Sequence, residues 1–144
     1  MMNVLVIYES RGGHTRRAAE ALGAAVRAQG TDAVVKAMSD VTASDVAQCD
    51  ALAVGTWVEG FLVVGVGPAK AALAGVARLP ALDGKRAVVF CTYGLNPRGT
   101  LDTLRRALEA KGATVVAEAA SSRAHPDREV VALAANLGTP PKAA

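Results

Sequence analysis

The apolar run Val4-Leu5-Val6-Ile7 stops abruptly at Tyr8-Glu9-Ser10-Arg11-Gly12-Gly13-His14-Thr15, where a short polar turn with two glycines opens into a helical pattern. A continuous apolar run of this length marks a strand covered on both faces, and the turn behind it carries that strand into a helix. The junction also has a chemical use. Backbone N–H groups and hydroxyls of such a turn point into one concavity, and the helix adds its unpaired first-turn N–H groups and partial positive charge. The expected occupant is a phosphate group. Two commoner phosphate loops are excluded by spacing: no Lys follows the glycines as G-x-x-x-x-G-K-[ST] requires, and G-x-G-x-x-G is not formed at this turn.

Five strands are expected, at Asn3 to Tyr8, Asp32 to Ala37, Ala51 to Gly55, Arg86 to Thr92 and Thr114 to Ala119. Ala51-Leu52-Ala53-Val54 and Ala87-Val88-Val89-Phe90 repeat the continuous apolar pattern of the first. Helical patterns fill the gaps. Thr15 to Gln29 sets Ala18, Leu22, Ala25 and Val26 on one stripe and ends at Gly30; Leu101 to Lys111 does the same with Leu101, Leu104 and Leu108 before Gly112. Pro68 is expected as the first residue of a helix reaching about Arg78, and Asp127 to Leu137 as a short closing helix. This βαβα alternation predicts an α/β domain over residues 1–138 with a doubly wound, five-stranded parallel sheet, and a frayed tail over 139–144.

With 144 residues, 51% of them apolar, the chain is long enough for one domain with a sizeable core. No apolar stretch reaches the roughly 18 residues needed to span a bilayer, and Met1-Met2-Asn3 leads into a strand without a charged leader, so a cytoplasmic protein without a transmembrane segment is expected. Cys49 and Cys91 are isolated and fit reduced core thiols better than a disulfide framework. With only His14 and His125 beside them, no metal-ligand spacing is recognisable, and no metal is expected. The net charge of +3 is spread along the chain with few aromatic residues for base stacking, which argues against nucleic acid.

In a doubly wound sheet of order 2-1-3-4-5, ligands bind beyond the carboxyl ends of the strands where the order reverses, beside the first and third. Three loops meet there. Beside the phosphate turn lie Thr56-Trp57-Val58-Glu59-Gly60, with the only Trp, and Thr92-Tyr93-Gly94-Leu95-Asn96-Pro97, with one of two Tyr. An aromatic from each of two facing loops suits a flat heteroaromatic ring. The chain resembles the flavodoxin family over nearly its whole length. The family's phosphate loop reads Ser/Thr-x-Thr-Gly-Asn-Thr, matched here at Ser10, Gly13 and Thr15 and departed from at Gly12 and His14. Trp57 and Tyr93 stand in the loops that flank the isoalloxazine ring in flavodoxins.

The resemblance implies FMN as cofactor. Ser10, Arg11, Gly12, Gly13, His14 and Thr15 would hold its phosphate, with Thr56, Trp57, Val58 and Glu59 on one side of the ring and Thr92, Tyr93 and Gly94 on the other. It implies an FMN-binding redox protein passing electrons to a redox partner protein or a small quinone-like acceptor. A small FMN-dependent quinone or oxidase-type reductase, and a flavodoxin-fold interaction module without cofactor, are the alternatives. No side chain stands out as a general acid or base, and the oligomeric state is not legible. In many flavodoxins the residue after the loop Trp is Gly, whose peptide turns over on reduction. Val58 occupies that position, and the arginines Arg11, Arg16 and Arg17 cluster at the phosphate turn of a basic chain, so two-electron transfer is expected.

Rival readings fail on particular residues. Gly65-Val66-Gly67-Pro68-Ala69-Lys70 imitates a dinucleotide fingerprint but has Lys70 at the third glycine and follows an insert, Phe61-Leu62-Val63-Val64, rather than a first strand. A phospho-receiver domain needs an acceptor Asp after the third strand, where this chain has Gly55-Thr56-Trp57. No G-x-S-x-G nucleophile elbow is present.

Overall fold

The computed structural model describes residues 3–61, 64–97 and 99–138. Its strands are β1 (Asn3–Glu9), β2 (Asp32–Ala37), β3 (Ala51–Phe61), β4 (Val64–Pro68), β5 (Arg86–Tyr93) and β6 (Thr114–Ser122). Its α-helices are α1 (His14–Ala28), α2 (Ala43–Gln48), α3 (Lys70–Arg78) and α4 (Thr100–Ala110), joined by 3-10 helices at Met38–Asp40 and Val130–Asn136. Parallel pairing runs β2-β1-β3-β5-β6, which is the expected 2-1-3-4-5 once the antiparallel β4 is set aside.

Alternation along the strands divides the core into two layers. Val4, Val6, Ala51, Ala53, Val88 and Phe90 face α1 and the 3-10 helix Val130–Asn136. Leu5, Ile7, Leu52, Val54, Ala87 and Val89 face the other way, onto Val46 of α2, Val76 of α3 and Leu104 and Leu108 of α4. The first layer is built close. Ala18 and Ala19 of α1 are fully buried on that face, and a methyl on Gly55 would fall 2.0 Å from the Phe90 ring, so glycine leaves the space that ring fills against β3.

Three expectations are corrected. Thr56 to Gly60 is not a loop: β3 continues to Phe61 and returns as β4, with Val58 opposite Pro68 and Glu59 opposite Gly67 and a bulge between Glu59 and Phe61. Leu62 and Val63 of the apolar insert lie outside the described residues, as does the tail from Thr139. Pro68 ends a strand instead of starting a helix, because α3 receives its cap from the hairpin: Ala69 N–H donates to Thr56 Oγ1 at 3.1 Å and Lys70 N–H to Glu59 Oε1 at 2.5 Å. The closing helix is a 3-10 helix from Val130, where adjacent β-branched Val130 and Val131 disfavour an α-helix and Ser121 Oγ accepts the N–H groups of Glu129 and Val130.

The short α2 carries no apolar periodicity in the sequence and is held by its cap. Thr42 accepts the Asp45 N–H while Asp45 accepts that of Thr42, a reciprocal cap, and Lys36 Nζ sits 2.9 Å from both Asp45 carboxylate oxygens. Thr42→Ala is expected to lower stability by about 1 kcal/mol, read from the urea midpoint. The hydrogen bond from Lys36, then that from the Thr42 backbone, hold the Asp45 carboxyl below its usual range. A depressed carboxylate contributes stability above its unfolded pKa of about 3.9 and loses it as pH falls through the lower folded value, so the Thr42→Ala deficit should shrink in that acid window.

Candidate functional site

A cleft of about 480 Å³ opens at the carboxyl ends of β1, β3 and β5. One wall is the β1–α1 turn, with Arg11, Gly12, His14 and Thr15; the second is the β3–β4 hairpin, with Trp57, Val58, Glu59 and Gly60; Thr92 and Arg123 close the third side.

The turn is wound around Ser10. Its Oγ accepts the N–H groups of Gly13 at 3.2 Å and Arg16 at 3.3 Å, while Gly13 takes a φ of +89°, where a side chain would be strained, and its carbonyl receives Arg17 N–H at 3.0 Å. Helix geometry gives the N–H groups of His14 and Thr15 no carbonyl partner, and they stand ready for an anion. The His14 ring lies over Gly12, with Nδ1 buried and unpartnered. Thr15 is buried, and its hydroxyl meets that of Thr92 at 2.8 Å, joining the first turn of α1 to the end of β5.

On the hairpin wall Trp57 is half-buried, and the Arg11 guanidinium lies 5.4 Å from its ring centroid, within cation–π range. Thr56 does not line the cleft: its hydroxyl donates to Trp57 O at 2.8 Å besides accepting Ala69 N–H. Glu59 both lines the cleft and caps α3, an arrangement the helix dipole favours. Gly60, at the bulge, has a φ of +109°.

The third side departs most from expectation. Neither Tyr93 nor Gly94 lines the cleft, nor do Ser10 and Gly13. Side chains alternate along a strand, and extending β5 through Tyr93 sets its ring on the side away from Thr92. In its place stands Arg123, just beyond β6, whose N–H donates to Tyr93 O at 2.8 Å and whose guanidinium occupies the space a Cβ on Gly94 would need. Ending the fifth parallel strand at Ala119 hid Arg123. The signal available was position, because every residue just past a parallel strand's carboxyl end lies on the ligand edge. Of the arginines expected at the phosphate turn only Arg11 reaches the cleft; Arg16 pairs with Glu20 at 3.0 Å and Arg17 lies elsewhere.

A family profile for flavodoxins matches residues 6–135. The chain belongs to the flavodoxin family. Members of this family bind FMN, and the protein is an FMN-binding electron-transfer flavoprotein. Its fold is shared with a flavodoxin from the domain Archaea, at 21% identity and a TM-score of 0.74, covering 94% of this chain and 99% of that one. The two-electron reduced Megasphaera elsdenii flavodoxin is 26% identical with a TM-score of 0.70, covering 92% and 98%. The Streptococcus pneumonia TIGR4 flavodoxin gives 22%, 0.74, 94% and 97%. No curated protein matches the chain.

The residues present in this flavodoxin fit FMN. The cleft volume falls within the roughly 300–1,000 Å³ of cofactor pockets, and its lining joins a helix start with free N–H groups, a His14 ring with an orphaned buried nitrogen, and a Trp. Both thiols are free and buried: burial, then the charge of Glu118, pushes Cys91 up to about 12, and burial raises Cys49. Among the described residues no helix is long and apolar enough to cross a membrane.

Proposed function

We propose that this flavodoxin holds FMN in the cleft between the β1–α1 turn and the β3–β4 hairpin and delivers electrons in pairs to a redox partner protein in the cytoplasm. The observation that carries the reading is the union, in one cleft, of an anion-ready helix start and a half-buried aromatic wall. The backbone N–H groups of His14 and Thr15, with Arg11, hold the phosphate; Ser10 keeps the turn wound; Trp57 and Val58 cover one face of the ring and Thr92 borders the other. When bound, FMN supplies the capacity to accept and give electrons, and the protein supplies binding, orientation and electrostatics. Leu95, 74% exposed beside the third wall, offers a partner an apolar contact.

Delivery in pairs rests on Val58. It is a strand residue opposite Pro68, and a β-branched side chain disfavours the positive φ that a turned-over peptide there requires, at a cost of about 1–3 kcal/mol. Apo-protein titrated with FMN should saturate at one FMN per chain with quenched flavin fluorescence. Stepwise anaerobic reduction should then carry the absorbance from oxidised to fully reduced through one set of isosbestic points, and Val58→Gly should break that single set. A colourless protein that ignores FMN sinks the binding assignment; resolved one-electron steps in the unaltered protein sink only the pairing.

A further inference from the structure

We propose that Arg123 tunes this cleft toward reduced FMN, raising the affinity for the reduced form relative to that for the oxidised one. The inference rests on the FMN reading above but concerns a residue outside the phosphate turn and the aromatic wall. Three observations place a cation on the third side. The Arg123 guanidinium lines the cleft; it lies over Gly94 so closely that an added Cβ would sit 2.2 Å from one of its nitrogens; and its own backbone N–H is tied to Tyr93 O at 2.8 Å, fixing where the side chain starts. Arg16, Arg105 and Arg106 are each paired with a carboxylate, whereas among the described residues no carboxylate lies within ion-pair distance of Arg123. Glu59, the acid in the cleft wall, is hydrogen-bonded to the start of α3.

The charge has a chemical consequence. FMN that has taken up two electrons and one proton carries one more negative charge than oxidised FMN, so a fixed cation beside it favours the reduced form. Arg123 is exposed, and solvent and salt weaken the effect without changing its sign. A preference on the order of tenfold at low ionic strength is expected, equivalent to about 30 mV for a two-electron couple.

The test titrates apo-protein with oxidised FMN and, anaerobically, with dithionite-reduced FMN, for the unaltered chain, Arg123→Gln, Arg123→Lys and Gly94→Ala. Arg123→Gln should weaken reduced FMN about tenfold while moving oxidised FMN less than threefold; Arg123→Lys should keep most of the preference. Gly94→Ala, whose methyl displaces the guanidinium, should reproduce Arg123→Gln without touching the charge itself, and serves if Arg123→Gln does not fold. The differences should shrink in high salt. Equal loss of both forms, or no change in their ratio, overturns the inference and leaves the FMN reading standing. An unaltered protein that binds neither form overturns the reading, and the inference with it.

Discussion

FMN is expected to bind at least a hundredfold more tightly than riboflavin, which lacks only the phosphate. Hydrogen bonds to a charged group contribute about 1.5–3 kcal/mol each and a helix start a further 0.3–1, so two first-turn N–H groups alone supply roughly 3 kcal/mol, or two powers of ten. Arg11 adds to this from the rim. FAD, which must seat an adenylate where the turn closes on the phosphate, is expected to bind more weakly than FMN. Fluorescence quenching of the three flavins by apo-protein measures the ranking directly. Riboflavin binding as well as FMN would remove the role assigned to the turn from Ser10 to Thr15.

Trp57→Ala should weaken FMN by roughly 1–3 kcal/mol, five- to over a hundredfold, the range for stacking an aromatic on a planar base. The fold should survive, because Trp57 is half-buried where β3 leaves the parallel sheet for the hairpin, and the packing of that strand is carried by Leu52, Val54 and Gly55 farther down. The variant should also loosen Arg11, which loses the ring it lies on. Thermal melts beside the flavin titrations separate the two roles. Full affinity with a large fall in Tm means that Trp57 is a packing residue and that the ring is held elsewhere.

The parallel sheet was readable because its strands are buried on both faces. Val4 to Ile7, Ala51 to Val54 and Ala87 to Phe90 carry apolar residues at every position, a pattern surface strands do not show. The hairpin was not readable for the opposite reason. Val64-Gly65-Val66-Gly67 has side chains at alternate positions only, and Thr56 to Gly60 mixes polar and glycine residues as loops do, so what makes both strands is their pairing with each other. The six residues of α2 are too few for periodicity, although Thr42 and Asp45 sit at capping-box spacing. At the cleft, residue type pointed to the Trp57 wall and the phosphate turn, which belong to local motifs. Tyr93 and Arg123 depended on where strands end, a property of tertiary pairing, and there the sequence suggested an aromatic where the fold sets a guanidinium.

The buried hydroxyl pair of Thr15 and Thr92 joins residues 77 positions apart in the chain at 2.8 Å, linking the turn assigned to the phosphate with the strand end that borders the ring. Two grips held by a single bond cannot drift apart independently. The span between them is set by the fold before any ligand arrives, and with FMN held as proposed the cleft would act as a gauge of length. A flavin whose linker matches that span meets both grips without having to order either, which keeps the entropic cost of association low; one that is longer or shorter must strain itself or leave a grip empty. On the proposed binding mode, selectivity for one cofactor would reside partly in a distance that neither grip encodes alone.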